Sequence, residues 1–175
     1  MRTAPRSRAS LLPFALAILS AVGAAWPGIG ESAAGPPPSP KSQAETPKPP
    51  VPAAAILEPE DLARILGSRA AEKPLIFQIG FRFLYKEAHI PGAEYIGPAS
   101  KEDGLKQLRQ RVAPVPHGKP IVLYCGCCPW IRCPNVKPAY DALHAMGFTQ
   151  VKVLRIEENF GANWVAKGYP TAKGE

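Results

Sequence analysis

The alternation of amphipathic segments with short apolar runs in residues 56–175 restricts the fold of this chain more than any other feature. Apolar residues recur at helical spacing in residues 58–68, 102–112 and 138–146. Short runs rich in Leu, Ile and Val, typical of buried strands, occupy residues 75–79, 121–124 and 151–154. A further short strand is predicted at residues 94–96 and a closing helix at residues 163–167. Strands separated by helices predict an α/β fold with a central parallel sheet and helices on both faces.

Residues 1–34 are predicted to form a signal peptide. Arg2, Arg6 and Arg8 precede an apolar run over residues 11–25, and small residues at the end of that run offer a cleavage site. The uncharged run continues to residue 30 and is long enough to cross a bilayer, so an uncleaved N-terminal anchor is the alternative. Both alternatives place the folded domain outside the cytoplasm, periplasmic or secreted, because the arginines stay inside.

Residues 35–55 are predicted to be a proline-rich, disordered linker. Eight of residues 35–52 are proline and none is aromatic, so this segment cannot build a core. The folded domain is therefore expected to span residues 56–175.

The basic net charge of +7 does not indicate a nucleic-acid partner. Residues 1–55 hold five of the 21 basic and two of the 14 acidic side chains, which leaves 16 and 12, or +4, for the domain. These charges are scattered, whereas nucleic-acid binding requires a clustered basic surface. We expect a monomer that meets a membrane only through the possible N-terminal anchor.

All four cysteines of the chain, Cys125, Cys127, Cys128 and Cys133, lie within nine residues. Disulfide frameworks usually distribute their cysteines so that distant segments are joined. Four cysteines in one loop therefore indicate thiol chemistry or metal binding more than global stabilisation.

Cys125 is the first of these cysteines and directly follows the predicted strand at residues 121–124. Ligands of open α/β sheets bind beyond the carboxyl ends of the strands. The N-terminus of the following helix favours a negative charge there, which lowers the pKa of a thiol and makes it nucleophilic. Arg132 offers a positive charge nearby, and Asn135 is predicted to cap the helix. The position alone nominates Cys125 as a reactive thiol.

Four short motifs in this order resemble the rhodanese family. They are Pro-Glu-Asp-Leu at residues 59–62, Ala-His-Ile-Pro-Gly-Ala at residues 88–93, Tyr-Cys at residues 124–125 with the helix after it, and Trp164 followed by Lys-Gly-Tyr-Pro at residues 167–170. Together they cover about residues 56–172. The cysteine loop resembles that of an exported rhodanese-like subgroup with the pattern CGCCPW…CPN.

The resemblance implies a sulfurtransferase or persulfide carrier that needs no cofactor. Cys125 would take a sulfane sulfur from a small donor, hold it as a persulfide and pass it to a thiol acceptor. The loop from Gly126 to Arg132 would bind the outer sulfur, with Gly126, Cys127, Cys128, Trp130 and Arg132 as the substrate-binding residues.

The chain departs from the family pattern in two places. The family's strand that corresponds to residues 75–79 usually ends in an Asp-x-Arg motif, whereas this chain has Gln78, Ile79 and Gly80 there. The cysteine loop is also longer than a simple rhodanese loop, so it cannot form the same tight cradle.

The extra thiols leave three roles open. Cys128 lies at Cys-x-x-Cys spacing from Cys125 and is a candidate resolving cysteine. Cys128 and Cys133 are alternatively a structural disulfide. The four cysteines together are a candidate site for copper or zinc, although one short loop brings four ligands together poorly. The alternative function is therefore a non-catalytic thiol module that binds a soft metal or forms structural or redox disulfides.

The remaining aromatic and histidine residues are expected to be structural. His89 lies in the Ile-Pro-Gly turn, and neither His117 nor His144 lies near Cys125 in sequence, so a Cys–His dyad has no support. Trp130 either anchors the loop or lines a substrate mouth, while Trp164 and Tyr169 are expected in the core.

Overall fold

A computed structural model describes residues 48–69 and 72–174. The predicted signal peptide or anchor at residues 1–34, and the predicted linker up to residue 47, lie outside the described residues. Within the described part, no helix is long and apolar enough to cross a membrane.

Five parallel strands form the sheet: β1 (Ile56–Leu57), β2 (Leu75–Gln78), β3 (Ala93–Tyr95), β4 (Ile121–Tyr124) and β5 (Val151–Leu154). Their order is β1-β5-β4-β2-β3, and every neighbouring pair is parallel. The predicted α/β fold with a parallel sheet is confirmed. The sequence patterns located β4 and β5 to the residue and missed β1, because a two-residue strand has no periodicity to detect.

Four α-helices connect the strands: α1 (Pro59–Gly67), α2 (Arg82–Glu87), α3 (Glu102–Val112) and α4 (Val136–Ala145). Helix α3 was predicted to the residue, whereas α2 was missed. Helix α4 begins two residues before the predicted start at Pro138, since a proline in the first helical turn forfeits no intrahelical hydrogen bond. The closing helix is a single π-helical turn at Gly161–Val165 rather than at residues 163–167.

The sheet is covered on both faces, as its central strand shows. All four residues of β4 are buried. Ile121 and Leu123 pack in one apolar cluster with Leu143 of α4, while Val122 packs in a second cluster with Leu62 of α1. Because side chains alternate along a strand, helices must lie on opposite faces of the sheet.

The folded part begins before residue 56, where the sequence placed the end of the linker. Val51 and Ala55 are buried and pack in the core cluster, and Ala53–Ala55 form one 3₁₀ turn. The side chain of Lys152 donates a hydrogen bond to the carbonyl of Ala54 at 2.5 Å. The C-terminal end of the predicted disordered linker is therefore part of the domain.

His89 and Trp164 hold the C-terminal segment against the sheet. The ring of His89 stacks on Tyr85, and its Nδ1 lies 2.8 Å from the Tyr85 carbonyl. The backbone of His89 exchanges two hydrogen bonds of 2.9 Å with Ala172. Trp164 is fully buried and donates from Nε1 to the carbonyl of Pro170 at 2.8 Å. These contacts of His89 and Trp164 stabilise the fold and involve no residue of the cysteine loop.

Candidate functional site

Cys125 lies directly beyond the carboxyl end of β4, where the sequence placed the reactive thiol. Cys125 is only 4% exposed to solvent. The backbone of Gly80, just beyond the neighbouring strand β2, approaches its sulfur so closely that a Cβ there would lie 2.9 Å from Cys125 Sγ. The carboxyl ends of two adjacent parallel strands thus form the floor of the site.

Gln78 braces this floor at the position where the family pattern has an acidic residue. Its Nε2 donates to the Cys125 carbonyl at 3.0 Å, and its Oε1 accepts the Gly80 N–H at 3.2 Å. The side chain is 2% exposed, so both bonds are shielded from water. An uncharged residue therefore braces the floor of the site in this chain. Gly80 was missed, although a glycine directly after an apolar strand signals close approach of another group.

Gly126 turns the chain out of the sheet and into the loop. Its φ is +77°, and a Cβ at this position would lie 2.8 Å from the Cβ of Phe160. Its carbonyl also accepts the Phe160 N–H at 2.9 Å. Left-handed backbone and close packing together require glycine here.

Trp130 anchors the far side of the loop. It is 5% exposed, packs in the core cluster and donates its backbone N–H to the Ile156 carbonyl at 2.8 Å. Of the two roles open for Trp130, this burial supports the anchor over the substrate mouth. Arg132, at the end of the 3₁₀ turn Trp130–Arg132, is exposed to solvent.

Asn135 stands at the N-cap position of α4 but does not cap the helix, which corrects the expectation from sequence. Its backbone is already helical, at φ −86° and ψ −27°, and its side chain makes no capping bond. Instead Oδ1 accepts the Ser100 N–H at 2.8 Å, and Nδ2 donates to Cys125 Sγ at 3.3 Å. The residue is 2% exposed. Asn135 is therefore a positioning residue for the Cys125 sulfur, through contacts too distant along the chain for a local pattern to reveal.

Three of the four thiols meet at one point. The sulfurs of Cys125, Cys127 and Cys133 all lie within 4.8 Å of one another. Cys127 Sγ is 3.1 Å from Cys125 Sγ and 3.3 Å from Cys128 Sγ, and Cys128 lies outside the group of three. All four are free thiols, so neither disulfide considered from sequence is formed in this structure. A short loop was expected to bring several thiols together poorly, but this loop places three sulfurs close to one another.

Hydrogen bonds to the Cys125 sulfur favour its thiolate form. The nearby Cys133 thiol, together with the Cys127 thiol and amide and with Asn135, lowers the pKa of Cys125 to about 6 against the opposing effect of burial. Burial and the bond to Cys125 raise the pKa of Cys127, and the bond to Cys125 chiefly raises the pKa of Cys133. The same contacts therefore favour a negative charge on Cys125 and disfavour one on Cys127 and Cys133.

A cleft of about 580 Å³ leads from solvent to the loop. Gly126 and Cys127 form its inner wall, the apolar side chains of Leu84 and Phe160 line it, and Lys173 stands among its residues. Cys125 is not among the lining residues. A small molecule that enters the cleft therefore meets Cys127 before Cys125.

Two solved structures share this fold. The Alr3790 protein from Anabaena sp. is 22% identical with a TM-score of 0.52, over 67% of this chain and 92% of that one. The BH2092 protein from Bacillus halodurans is 22% identical with a TM-score of 0.52, over 67% of this chain and 76% of that one. At this identity the likeness concerns the fold alone.

A match to a protein family is more informative than these likenesses of fold. Among curated proteins, no match to this chain was found. The rhodanese-like domain family matches residues 58–155, which include β2, β4, the whole cysteine loop and α4. The chain belongs to the rhodanese-like domain family, which is of the sulfurtransferase type.

Proposed function

We propose that this protein is a sulfurtransferase or persulfide carrier with Cys125 as its nucleophile. The observation that carries the proposal is the placement of the Cys125 sulfur at the carboxyl end of β4, packed against Gly80 and bonded by Asn135 Nδ2 at 3.3 Å. This arrangement fixes the sulfur and supplies hydrogen-bond donors to its negative charge before any substrate binds. The lowered pKa of Cys125 supports the same assignment.

The reaction is a pair of sulfur–sulfur exchanges. The Cys125 thiolate attacks the sulfane sulfur of a donor, the new S–S bond forms as the donor's bond breaks, and the donor leaves with the electron pair. The result is a persulfide on Cys125. An acceptor thiolate then attacks the outer sulfur, takes it as its own persulfide and returns Cys125 to the thiolate. No cofactor enters this scheme, and the partners are a small sulfur donor and a thiol acceptor.

Cys127 is better placed than Cys128 to act as the resolving cysteine. Its sulfur contacts that of Cys125 at 3.1 Å, whereas Cys128 contacts Cys127. When the Cys127 thiol attacks the inner sulfur of the Cys125 persulfide anion, a Cys125–Cys127 disulfide forms, and the outer sulfur takes the Cys127 proton and leaves as hydrosulfide. An external dithiol then reduces the disulfide. The resolving role that sequence spacing gave to Cys128 therefore passes to Cys127.

We further propose that the domain works outside the cytoplasm, as a monomer in the periplasm or secreted. The support is the basic and apolar pattern of residues 1–34. Fractionation of cells that produce the full chain tests this proposal. Recovery of the uncleaved chain in the cytoplasmic fraction would refute it.

A pair of serine variants tests the chemistry. Each reduced protein is incubated with a polysulfide, and sulfur transfer to a small thiol is measured together with circular dichroism. We expect Cys125→Ser to lose at least about 100-fold in transfer rate while it keeps its fold, because a hydroxyl cannot carry sulfur. Cys128→Ser is the matched control and should transfer within about 3-fold of the unmodified protein. Normal transfer by a folded Cys125→Ser would reject the assignment.

A further inference from the structure

The proposed sulfur transfer employs Cys125 and Cys127 as its reacting thiols, whereas Cys133 of the same cluster only assists Cys125 and does not itself react. Its residue is 5% exposed, and its sulfur lies within 4.8 Å of both others. Three convergent thiols are one more than a persulfide and its resolution require. We propose that Cys125, Cys127 and Cys133 also form a three-coordinate site for Cu(I).

The spacing of the sulfurs suits a metal ion with little rearrangement. Metal–sulfur bonds of about 2.3 Å place the sulfurs of a trigonal site about 4.0 Å apart. The three sulfurs already lie within 4.8 Å of one another, and the 3.1 Å between Cys125 and Cys127 must widen by about 1 Å. Cys127 is half-buried at the edge of the cleft, so its side chain can make that movement while Cys125 and Cys133 stay fixed.

The number and kind of ligands favour Cu(I) over other metals. Thiolates select soft ions such as Cu(I) and Zn(II), and hard ions such as Mg²⁺ prefer oxygen ligands. Structural zinc sites need four protein ligands. Cys128 directly follows Cys127 in the chain and lies outside the group of three sulfurs. Three sulfur ligands match the low coordination number that Cu(I) accepts.

The surroundings of the sulfurs supply the hydrogen bonds that such a site needs. Asn135 Nδ2 donates to Cys125 Sγ at 3.3 Å. The amide of Cys127 also donates to Cys125, and the amide of Asn135 donates to Cys133. Donors around metal-bound thiolates offset part of their negative charge and orient them. These donors come from the backbone and from a buried side chain, so they are in place before the metal arrives.

Copper binding would exclude sulfur transfer, because the metal takes the electron pair with which Cys125 attacks the donor. The two activities are nevertheless independent claims. Cu(I) binding needs all three thiols as ligands and no sulfur donor, whereas sulfur loading needs a donor and Cys125 as the only reacting thiol.

Anaerobic titration of the reduced, metal-free protein with Cu(I) tests the site, with a coloured Cu(I) chelator as competitor. We expect one Cu(I) per chain, retained against the chelator. Cys127→Ser and Cys133→Ser should each weaken binding by at least about 100-fold, because a hydroxyl is a poor ligand for a soft ion. Cys128→Ser is the control and should bind Cu(I) as tightly as the unmodified protein. Because Cys133 is in the core, circular dichroism checks its variant, and Cys127→Ser repeats the test at a half-buried position.

Three results would overturn the proposal. They are less than one Cu(I) retained per chain, an equal loss of affinity in Cys128→Ser, and unchanged affinity in a folded Cys127→Ser variant. Sulfur loading of the same metal-free preparations is measured separately. A protein that loads sulfur but does not retain Cu(I) therefore refutes the copper site and supports the sulfurtransferase. A protein that retains Cu(I) but does not load sulfur supports the copper site and refutes the sulfurtransferase.

Discussion

The two ends of the cysteine loop and its middle differ in how firmly the fold holds them. Cys125 and Cys133 form the ends and are 4% and 5% exposed, whereas Cys127 and Cys128 form the middle and are half-buried. Cys125 directly follows β4 and Cys133 lies three residues before the start of α4, whereas Cys127 lines the cleft. The fold thus holds one thiol at a fixed, buried position and leaves another within reach of solvent, and the proposed sulfur carrier would need both activation and access.

The largest expected effect on stability comes from a substitution of Gly126, which forms the turn between Cys125 and Cys127. Gly126→Ala should lower the free energy of unfolding by about 3 kcal/mol or more, because the left-handed backbone and the contact 2.8 Å from Phe160 Cβ both oppose a side chain. Chemical denaturation measures the change.

Gly168→Ala is the matched control for that substitution. Gly168 has nearly the same φ, +73°, but a Cβ there would meet no other described atom within 4 Å. Gly168→Ala should therefore lower the free energy of unfolding only by the backbone strain, about 1–2 kcal/mol. Equal losses in the two variants would show that the packing of Gly126 against Phe160 does not hold the loop.

Asn135→Ala should produce the next largest loss of stability. Asn135 lies two residues after Cys133 and contacts the sulfur of Cys125. Removal of the side chain leaves the Ser100 N–H without its partner and takes a donor from Cys125 Sγ. We expect a loss of about 2 kcal/mol in stability and slower sulfur loading at neutral pH. Asn163→Ala, which removes a bond to the Glu158 N–H from a less buried site, should leave loading unchanged. Unaltered loading in Asn135→Ala would separate Asn135 from the chemistry.

The pH dependence of sulfur loading should follow the thiolate of Cys125. Because its neighbours lower the pKa of Cys125 to about 6, the thiolate dominates above that pH and disappears below it. Single-turnover loading should therefore fall about 10-fold between pH 7 and pH 5, equivalent to about 1.4 kcal/mol. A profile that instead rises through pH 9, the ordinary value for a thiol, would show that the loop does not activate Cys125.

The same pKa shift affects stability with a defined sign. A group whose pKa is lower in the folded state than in the unfolded state stabilises the fold fully above its ordinary pKa of 9. That contribution is lost as the pH falls towards 6. Unfolding of Cys125→Ser should show less stabilisation between pH 6 and pH 9 than unfolding of the unmodified protein.

The smallest expected effect belongs to the middle of the loop. Cys128 contacts Cys127 and is half-buried, so Cys128→Ser should change the free energy of unfolding by less than about 0.5 kcal/mol. Thermal unfolding measures this. A loss of several kcal/mol would show that Cys128 is structural and would abolish the contrast between the ends and the middle.

The sequence predicted the parts of the fold that repeat locally. The apolar run of β4 and the periodic pattern of α3 were located to the residue, because burial on fixed faces imposes those patterns. Helix α2 was missed because Tyr85 is its only buried residue, so no apolar stripe marks it. β1 was missed because two residues carry no pattern.

The site was predictable only where it depends on neighbouring residues in the chain. Cys125 followed from its place after β4. The contacts of Gln78 and Asn135 with Cys125 join residues 47 and 10 positions apart, and their geometry depends on how strands and helices pack. The choice of Cys127 over Cys128 as the neighbour of Cys125 depends on the turn at Gly126, which spacing alone does not encode.

The most direct test of the central claim is to locate the first sulfur that the protein accepts. The reduced protein is loaded briefly with a polysulfide, blocked and digested with trypsin, whose cleavage after Arg132 separates Cys133 from the other three cysteines. Fragmentation of the peptide that contains Cys125 then distinguishes it from Cys127, since Gly126 lies between them. We expect one added sulfur atom on Cys125. An added sulfur on Cys127, Cys128 or Cys133, with Cys125 unmodified, would contradict it.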